Sequence, residues 1–421
     1  VNVFKMILRI CGLLFFLLLA GLCLQKFRSI IPETGTPSIE EIVRKTELNP
    51  LNPHHWYILG SVYAYDLSSS SLENSAACFA RAARLNPWFW KYWSEMALVL
   101  ENTGQPAEVC RMLKVAQRLN RSYVPFYWYA ANLYLRHGRF DDAAACFRRN
   151  LEGNPASVTA VLELCWKSFP DRRRIVDDVI PDRMNLLAGA LSWSIAKNDE
   201  LLSRRCWERI LELEEPLSAS VVFQYCAYRL RQQDFVAASR SWRQGLRRCF
   251  PHRFFPEDEP VFNGSFEYPP LNGGFGWLCH RDEGIRWRLD RLHRYLDFHA
   301  LRFTFDGSRN FSGPVLRQLI FLPLPGTYTL HYAVFSKLST DQGFYFQVMA
   351  YTPFPQARPV GAGDHEPADP VWRAGEVTFT LTDEDNLIEI QLRRNPSAKI
   401  DNKVKGDIWI DAVYLTREPD R

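Results

Sequence analysis

The stretch YWYAANLYLRHGRFDDAAACFRRNLEGNP, residues 127–155, reads as two amphipathic helices with a punctuation mark after each. Gly138 ends the aromatic-rich first helix. Asp141 falls in the acidic first turn of the second, and Arg148 and Arg149 fall toward its end, matching the helix dipole. Pro155 stops the unit, because proline cannot continue a helix. The same punctuation recurs along the chain. Asn-Pro preceded by Leu or Gly stands at 48–53, 85–87 and 153–155, and Leu-Asn-Arg stands at 119–121. Pro53, Pro87, Arg121 and Pro155 are therefore spaced by 34 residues. On that ruler Phe79 and Phe147 are equivalent, with Leu113 between them, and Ala82 is equivalent to Ala116. Further on, QQDFVAASRSWRQGLRR places Phe235, Ala238 and Trp242 in the same slots, after FPDRRRIVDDVIPDRM (169–184) has interrupted the register.

The 34-residue period, the Gly138-x-Phe140-x-x-Ala143 start of the second helix, Phe147 and the closing Pro155 resemble the tetratricopeptide repeat family. That resemblance implies an all-α solenoid over residues 48–250, preceded by a linker and first helix at 31–47. It implies a protein partner held in a groove. One helix pair cannot bury its apolar face alone, whereas stacked pairs bury a continuous core and leave a concave surface.

The N-terminal segment carries a different signal. Ile10 to Leu24 is free of charge, Arg9 alone interrupts the apolar run from Met6, and basic residues flank it on both sides. With Arg9 snorkelling, this nearly meets the length of a spanning helix, about 20 residues. Ala20-Gly21-Leu22 makes a poor cleavage site, so residues 1–30 are expected to be a membrane anchor or signal segment. The flanking charges tie and do not set orientation. Ten cysteines weigh against export, but none forms a Cys-x-x-Cys pair, and most sit at buried-type helical positions as small core thiols. The net charge of +4 is too small to indicate nucleic acid. It is split as +6 over residues 1–260 and −2 over residues 261–421.

FPHRFFPEDEP (250–260) marks a proline-rich linker, assigned to 251–260, and beyond it the apolar period changes to two. ALRFTFDG, VLRQLIFLP, TYTLHYAVFS, FYFQVMAY, EVTFTLT, NLIEIQLRR and DIWIDAVYL, with a first strand near PVFNGSFE, predict eight strands and an antiparallel β-sandwich of jelly-roll type over 261–417, before a short tail at 418–421. NGSFE, GGFGW, LPLPGTYTLHYAVFS and GDIWIDAVYL resemble a carbohydrate-binding module of the galactose-binding-like group. That resemblance nominates Glu267 and Asp411 as ligands of a structural calcium, whose chemistry oxygen donors suit. Period-two alternation puts Tyr345, Gln347 and Met349 on one face of a strand and Glu389, Gln391 and Arg393 on one face of another. If those strands are neighbours, Tyr345, Gln347, Glu389, Gln391 and Arg393 line one surface with the aromatic and planar polar groups that sugars need. Trp277 and Trp287, read as loop residues, are candidates for a stacking platform.

No catalytic constellation stands out. NGGFG (272–276) lacks the strand–helix context of a phosphate loop, and no Ser/His/Asp order or His cluster supports catalysis. The expectation is a non-enzymatic scaffold. It has an N-terminal transmembrane helix, a repeat solenoid binding a protein, and a sandwich binding a saccharide, without nucleic acid or a required cofactor. Proteins with this combination resemble accessory factors of bacterial exopolysaccharide assembly or export, which implies an inner-membrane anchor with a periplasmic body. The alternative is an envelope scaffold whose sandwich docks another protein.

Overall fold

A computed structural model describes residues 12–21, 23, 38–66, 70–253, 256, 259–366, 369–399 and 402–418. Two compact units emerge, residues 1–181 and 182–421. The boundary expected at 251–260 lies inside the second.

In the first unit, α1 (Ile39–Leu48), α2 (Pro53–Tyr65), α3 (Leu72–Leu85), α4 (Trp90–Asn102), α5 (Pro106–Leu119), α6 (Pro125–Arg136), α7 (Phe140–Gly153) and α8 (Val158–Ser168) pack mainly as successive antiparallel neighbours. The slots equivalent in sequence are equivalent in burial. Phe79, Leu113 and Phe147 are buried, and so are Ala82 and Ala116. The recurring asparagines are caps. Asn52 accepts from the His54 amide, Asn86 from the Trp88 amide and Asn120 from the Tyr123 amide. Trp56 and Trp93 reach back to the carbonyls of Pro50 and Pro87, each at 2.9 Å, and clamp two of the turns. The interrupting segment forms a π-helical turn, Ile175–Val179, with Ile175, Val176 and Val179 buried.

The second unit begins with two more helix pairs, α9 (Met184–Ala196) with α10 (Glu200–Glu212) and α11 (Ala219–Arg231) with α12 (Phe235–Cys249). Their turns are recognisable by backbone and not by residue type. Gly104 and Gly138 turn with positive φ in the first unit, and Asn198 (φ 54°) and Gln233 (φ 58°) do so here. The following aspartates, Asp199 and Asp234, cap α10 and α12.

Two five-stranded antiparallel sheets follow. One has the order β1 (Leu278–Cys279), β4 (Gly313–Phe321), β9 (Leu387–Arg394), β6 (Phe344–Tyr351), β7 (Ala357–Ala362). The other has the order β2 (Ile285–Asp290), β3 (Ala300–Asp306), β10 (Lys405–Arg417), β5 (Gly326–Ser339), β8 (Arg373–Leu381). Inward rows such as Ile388, Ile390, Leu392 and Phe344, Phe346, Val348 fill one core. The strand expected at PVFNGSFE is a set of turns, with Asn263 and Phe266 at φ 53° and the Asn263 side chain bonded to both backbone groups of Tyr268. β1, β2 and β7 were absent from the expected strand list.

Helices and sandwich are joined by packing. The Trp242 ring of α12 meets Phe223, Phe262 and Phe275 at centroid distances of 5.6, 5.7 and 6.4 Å. A Cβ on Gly274 would lie 2.3 Å from the Trp242 ring, and one on Gly273 would lie 2.4 Å from the Phe223 ring. The glycine-rich NGGFG stretch thus makes room for two aromatic rings. Gly274→Val is expected to lower the unfolding midpoint of this unit, which a thermal melt checks.

Buried free thiols are also accounted for. Cys78, Cys146, Cys165, Cys226 and Cys279 are free and buried, and burial pushes the Cys78 thiol up to about 11 and those of Cys146 and Cys165 up to about 12. They are core atoms, not reactive thiolates.

Residues 12–21 are helical, with Leu13 to Leu18 exposed. Among the described residues no helix is long and apolar enough to cross a membrane. Part of the expected anchor, Met6–Cys11 together with Leu22 and Leu24, lies outside the described residues.

Candidate functional site

β9 lies between β4 and β6, so alternation on three neighbouring strands builds one outer face. The register gives its rows. Arg317, Gln391 and Gln347 are cross-strand neighbours, as are Leu319, Glu389 and Met349, while Arg393 pairs with Tyr345. The five residues Tyr345, Gln347, Glu389, Gln391 and Arg393 are thereby brought together.

Their side chains are held by one another. Arg393 Nη1 donates to Gln347 Oε1 at 2.6 Å, and Gln391 Nε2 donates to Glu389 Oε2 at 2.6 Å. The Tyr351 hydroxyl donates to the same Glu389 oxygen at 3.1 Å, and the Tyr345 hydroxyl donates to Asn395 Oδ1 at 3.0 Å. Glu389 is buried, and Arg317 Nη1 stands 3.8 Å from its other oxygen. Burial and the nearby carboxylate push the Tyr351 hydroxyl up to about 12, so it stays a donor. Two tyrosines therefore bracket a row of planar polar groups fixed in orientation before any ligand arrives. Tyr351, Arg317 and Asn395 were not among the residues singled out from sequence, and Met349 was placed on this face without a role. Tyr351 and Met349 share the alternation of Tyr345 and were legible, whereas Arg317 and Asn395 depend on which strands are neighbours. Phe354, beyond β6, packs on Tyr351 at 5.3 Å and on Phe235 of α12 at 6.3 Å, so a repeat helix borders this end of the face.

The two tryptophans form no platform. Trp277 does lie in a loop, but it is fully buried, donates to the Asn263 carbonyl at 3.1 Å and packs on Phe266 at 5.4 Å. Trp287 lies in β2, not in a loop, packs against the core and carries Arg281 over its ring.

Glu267 and Asp411 both serve the β2–β3 loop. Glu267 Oε1 accepts from the amides of Phe298 (2.9 Å) and His299 (3.0 Å), and its Oε2 lies 3.2 Å from His299 Nδ1. Asp411 Oδ2 accepts from the amides of Tyr295 (2.9 Å) and Leu296 (3.0 Å), and its Oδ1 accepts from Ala412 at 2.7 Å. This donor set does not fit a calcium ion. N–H dipoles converge on both carboxylates with their positive ends, where a cation needs free lone pairs. Among the described residues no group of three acidic, histidine or cysteine side chains is placed to hold a metal. Chelator or added calcium is expected to leave the thermal midpoint unchanged; a rise with calcium that chelator reverses would overturn this.

In the first unit a second surface gathers polar groups on α2, α4 and α6. The Tyr65 hydroxyl donates to Glu95 at 2.8 Å, Arg136 and His137 both reach Glu101, and the Tyr129 hydroxyl is buried without a partner.

No family profile matches this chain, and no curated protein matches it. Solved structures do. YrrB, a TPR protein with an unusual peptide-binding site, is 12% identical over 51% of this chain and 95% of its own, with a TM-score of 0.30. A CBM4 structure is 16% identical over 38% of this chain and 99% of its own, with a TM-score of 0.27. A xylan-binding domain from CBM 22 is 10% identical over 38% of this chain and 97% of its own, with a TM-score of 0.27. No site residue is carried over at such identities.

Proposed function

We propose that the chain is a non-catalytic scaffold that binds a saccharide on the β4–β9–β6 face and a protein partner on the α2–α4–α6 surface. One observation carries the saccharide reading. Arg393 is bonded to Gln347, and Gln391 and Tyr351 are both bonded to Glu389, so two fixed polar groups lie side by side on neighbouring strands. Such a row offers fixed donors and acceptors to hydroxyls and the half-buried Tyr351 ring to a C–H face, while Tyr345 is buried beneath His365 at 4.6 Å. The partner reading rests on the Tyr65–Glu95 and Arg136–Glu101 pairs and the unpartnered Tyr129 hydroxyl. The exposed apolar helix at 12–21 supports a membrane tether, and we place the body in the periplasm, at a bacterial inner membrane. There the scaffold would serve exopolysaccharide assembly or export.

The test is a glycan array on the full chain, followed by calorimetry on any hit. Gln391→Ala and Arg393→Ala should each weaken binding about 10-fold or more, the value of a hydrogen bond to a charged group. Absence of binding to any glycan by a folded chain would overturn the saccharide reading. The rival, a sandwich that docks protein, is favoured by the β2–β3 loop. It holds Leu292, Leu296 and Phe298 at 87%, 53% and 69% exposure on a backbone pinned by two carboxylates.

A further inference from the structure

The sandwich carries a second concave site, on its other sheet. An open cleft of about 970 Å³ lies against β5, β8 and β10 and is walled by the loops that carry Tyr295 and Asp364. On one side stands Tyr414, 49% exposed, with its ring stacked on His331 at 4.7 Å and 19°. His331 is itself fixed by a 2.9 Å contact between Nε2 and the Thr416 hydroxyl. One face of the tyrosine ring is backed by another ring, and the residue stays open to solvent. That is how a stacking platform is built.

The rest of the lining sets carboxylates beside His331, His365 and Arg373, and His331 Nδ1 stands 3.9 Å from Glu376. Asp364, Glu366 and Glu376 face the cleft, and the one arginine among the described lining residues, Arg373, is already bonded to Asp369 at 2.6 Å. Glu366 hydrogen-bonds the Tyr332 hydroxyl, and burial raises its carboxyl above the usual range although that bond and the nearby Arg373 oppose the shift. The chemistry differs from that of the β4–β9–β6 face, where Arg317 and Arg393 contribute. A ring platform beside three carboxylates suits a ligand that has both a C–H face and ammonium groups. Ammonium–carboxylate hydrogen bonds are the strong, charge-assisted kind. A sugar bearing carboxylates would meet like charge instead.

We propose that this cleft is a second saccharide site, selective for amino-bearing sugar units, with Tyr414 as its platform and Glu376, Glu366 and Asp364 as its ammonium acceptors. It stands independently of the reading of the β4–β9–β6 face. Two such sites on one sandwich would let one polymer engage both, or would let the chain bridge two polymers, with a gain from effective concentration.

The experiment is titration calorimetry of the full chain with a fully deacetylated glucosamine tetramer, its N-acetylated counterpart and a galacturonate trimer. Saturable binding of the glucosamine tetramer is expected, and Tyr414→Ala and Glu376→Gln should each weaken it about 10-fold, which is 1.4 kcal/mol. Both residues are on the surface, so the variants should keep the parent melting midpoint. Gln391→Ala, on the opposite face, should weaken this binding less than Tyr414→Ala does. The N-acetylated and galacturonate oligomers should bind at least about 10-fold more weakly. Failure of the glucosamine tetramer to bind, equal binding of the N-acetylated form, or binding that survives Tyr414→Ala would each overturn the proposal. Loss on Gln391→Ala with retention in Tyr414→Ala would assign the sugar to the other face and leave only that reading standing.

Discussion

Arg394→Met is expected to destabilise the sandwich by about 3–5 kcal/mol, the range for breaking a buried charged network by removing one partner. Arg394 is fully buried and follows the inward row Ile388, Ile390, Leu392, so its side chain enters between the sheets. Its guanidinium has a full set of acceptors. Nε donates to the Gln342 carbonyl at 2.9 Å, and Nη1 donates to Asn310 Oδ1 at 3.0 Å and to the Phe311 carbonyl at 2.5 Å. Nη2 donates to Thr340 Oγ1 at 3.0 Å and to the Asn402 carbonyl at 3.3 Å. Methionine fills much of the volume but donates to none of these groups, so the Phe311 and Asn402 carbonyls lose this donor, while Asn310 Oδ1 keeps the Ser397 amide and the Gln342 carbonyl keeps the Thr340 hydroxyl. Burial draws the guanidinium pKa downward, and only Asp341, 3.9 Å away, opposes that. The side chain is held by geometry more than by charge. Arg394→Lys should therefore recover less than half of the loss, because an ammonium cannot reproduce the planar fork. Chemical denaturation of the two variants checks both statements. A Met variant within about 1 kcal/mol of the parent would sink the argument, since that is the size of an ordinary surface effect.

Arg394 also shows where sequence reading stops. Alternation separated Ile388, Ile390 and Leu392 from Glu389, Gln391 and Arg393, and that parity set both the core and the candidate face. The same parity puts Arg394 inward, yet an arginine next to Arg393 reads as solvated surface. Its partners lie on three separate loops, and their convergence is invisible in a linear chain. Trp277 fails for a related reason. An indole beside glycines looks like an exposed platform until the turns at Asn263 and Phe266 fold over it. The helix pairs were legible through Pro155 because Asn-Pro and Gly138 punctuate them. Past that point Asn198 and Gln233 take the left-handed turns, and the residue-type signal fades while the backbone geometry persists. Glu267 and Asp411 were nominated by resemblance as calcium ligands, and their shared service to the β2–β3 loop amides was not legible in the sequence.

Trp242→Ala is expected to cost about 3–5 kcal/mol, the usual range for emptying a buried aromatic site. In a unit of this size that lowers the melting midpoint by roughly 2–4 °C per kcal/mol. The reason extends beyond one ring. Trp242 packs on Phe223 from its own helix pair and on Phe262 and Phe275 from the sandwich side. Gln318 in β4 donates to the Phe262 carbonyl at 2.8 Å, and Val413 in β10 donates to the Gly264 carbonyl at 3.0 Å. The connector between helices and sandwich is thus bonded into both sheets. A fragment of residues 258–421 would uncover Phe262 and Phe275, whereas a fragment of residues 182–421 keeps their cover. The longer fragment should be monodisperse and melt in one transition. The shorter one should aggregate or melt well below it. Equal stability of the two would show that the helices are passengers. The expected gap would make α9–α12 part of the ligand-binding unit, with Phe235 and Phe354 closing one end of its saccharide face.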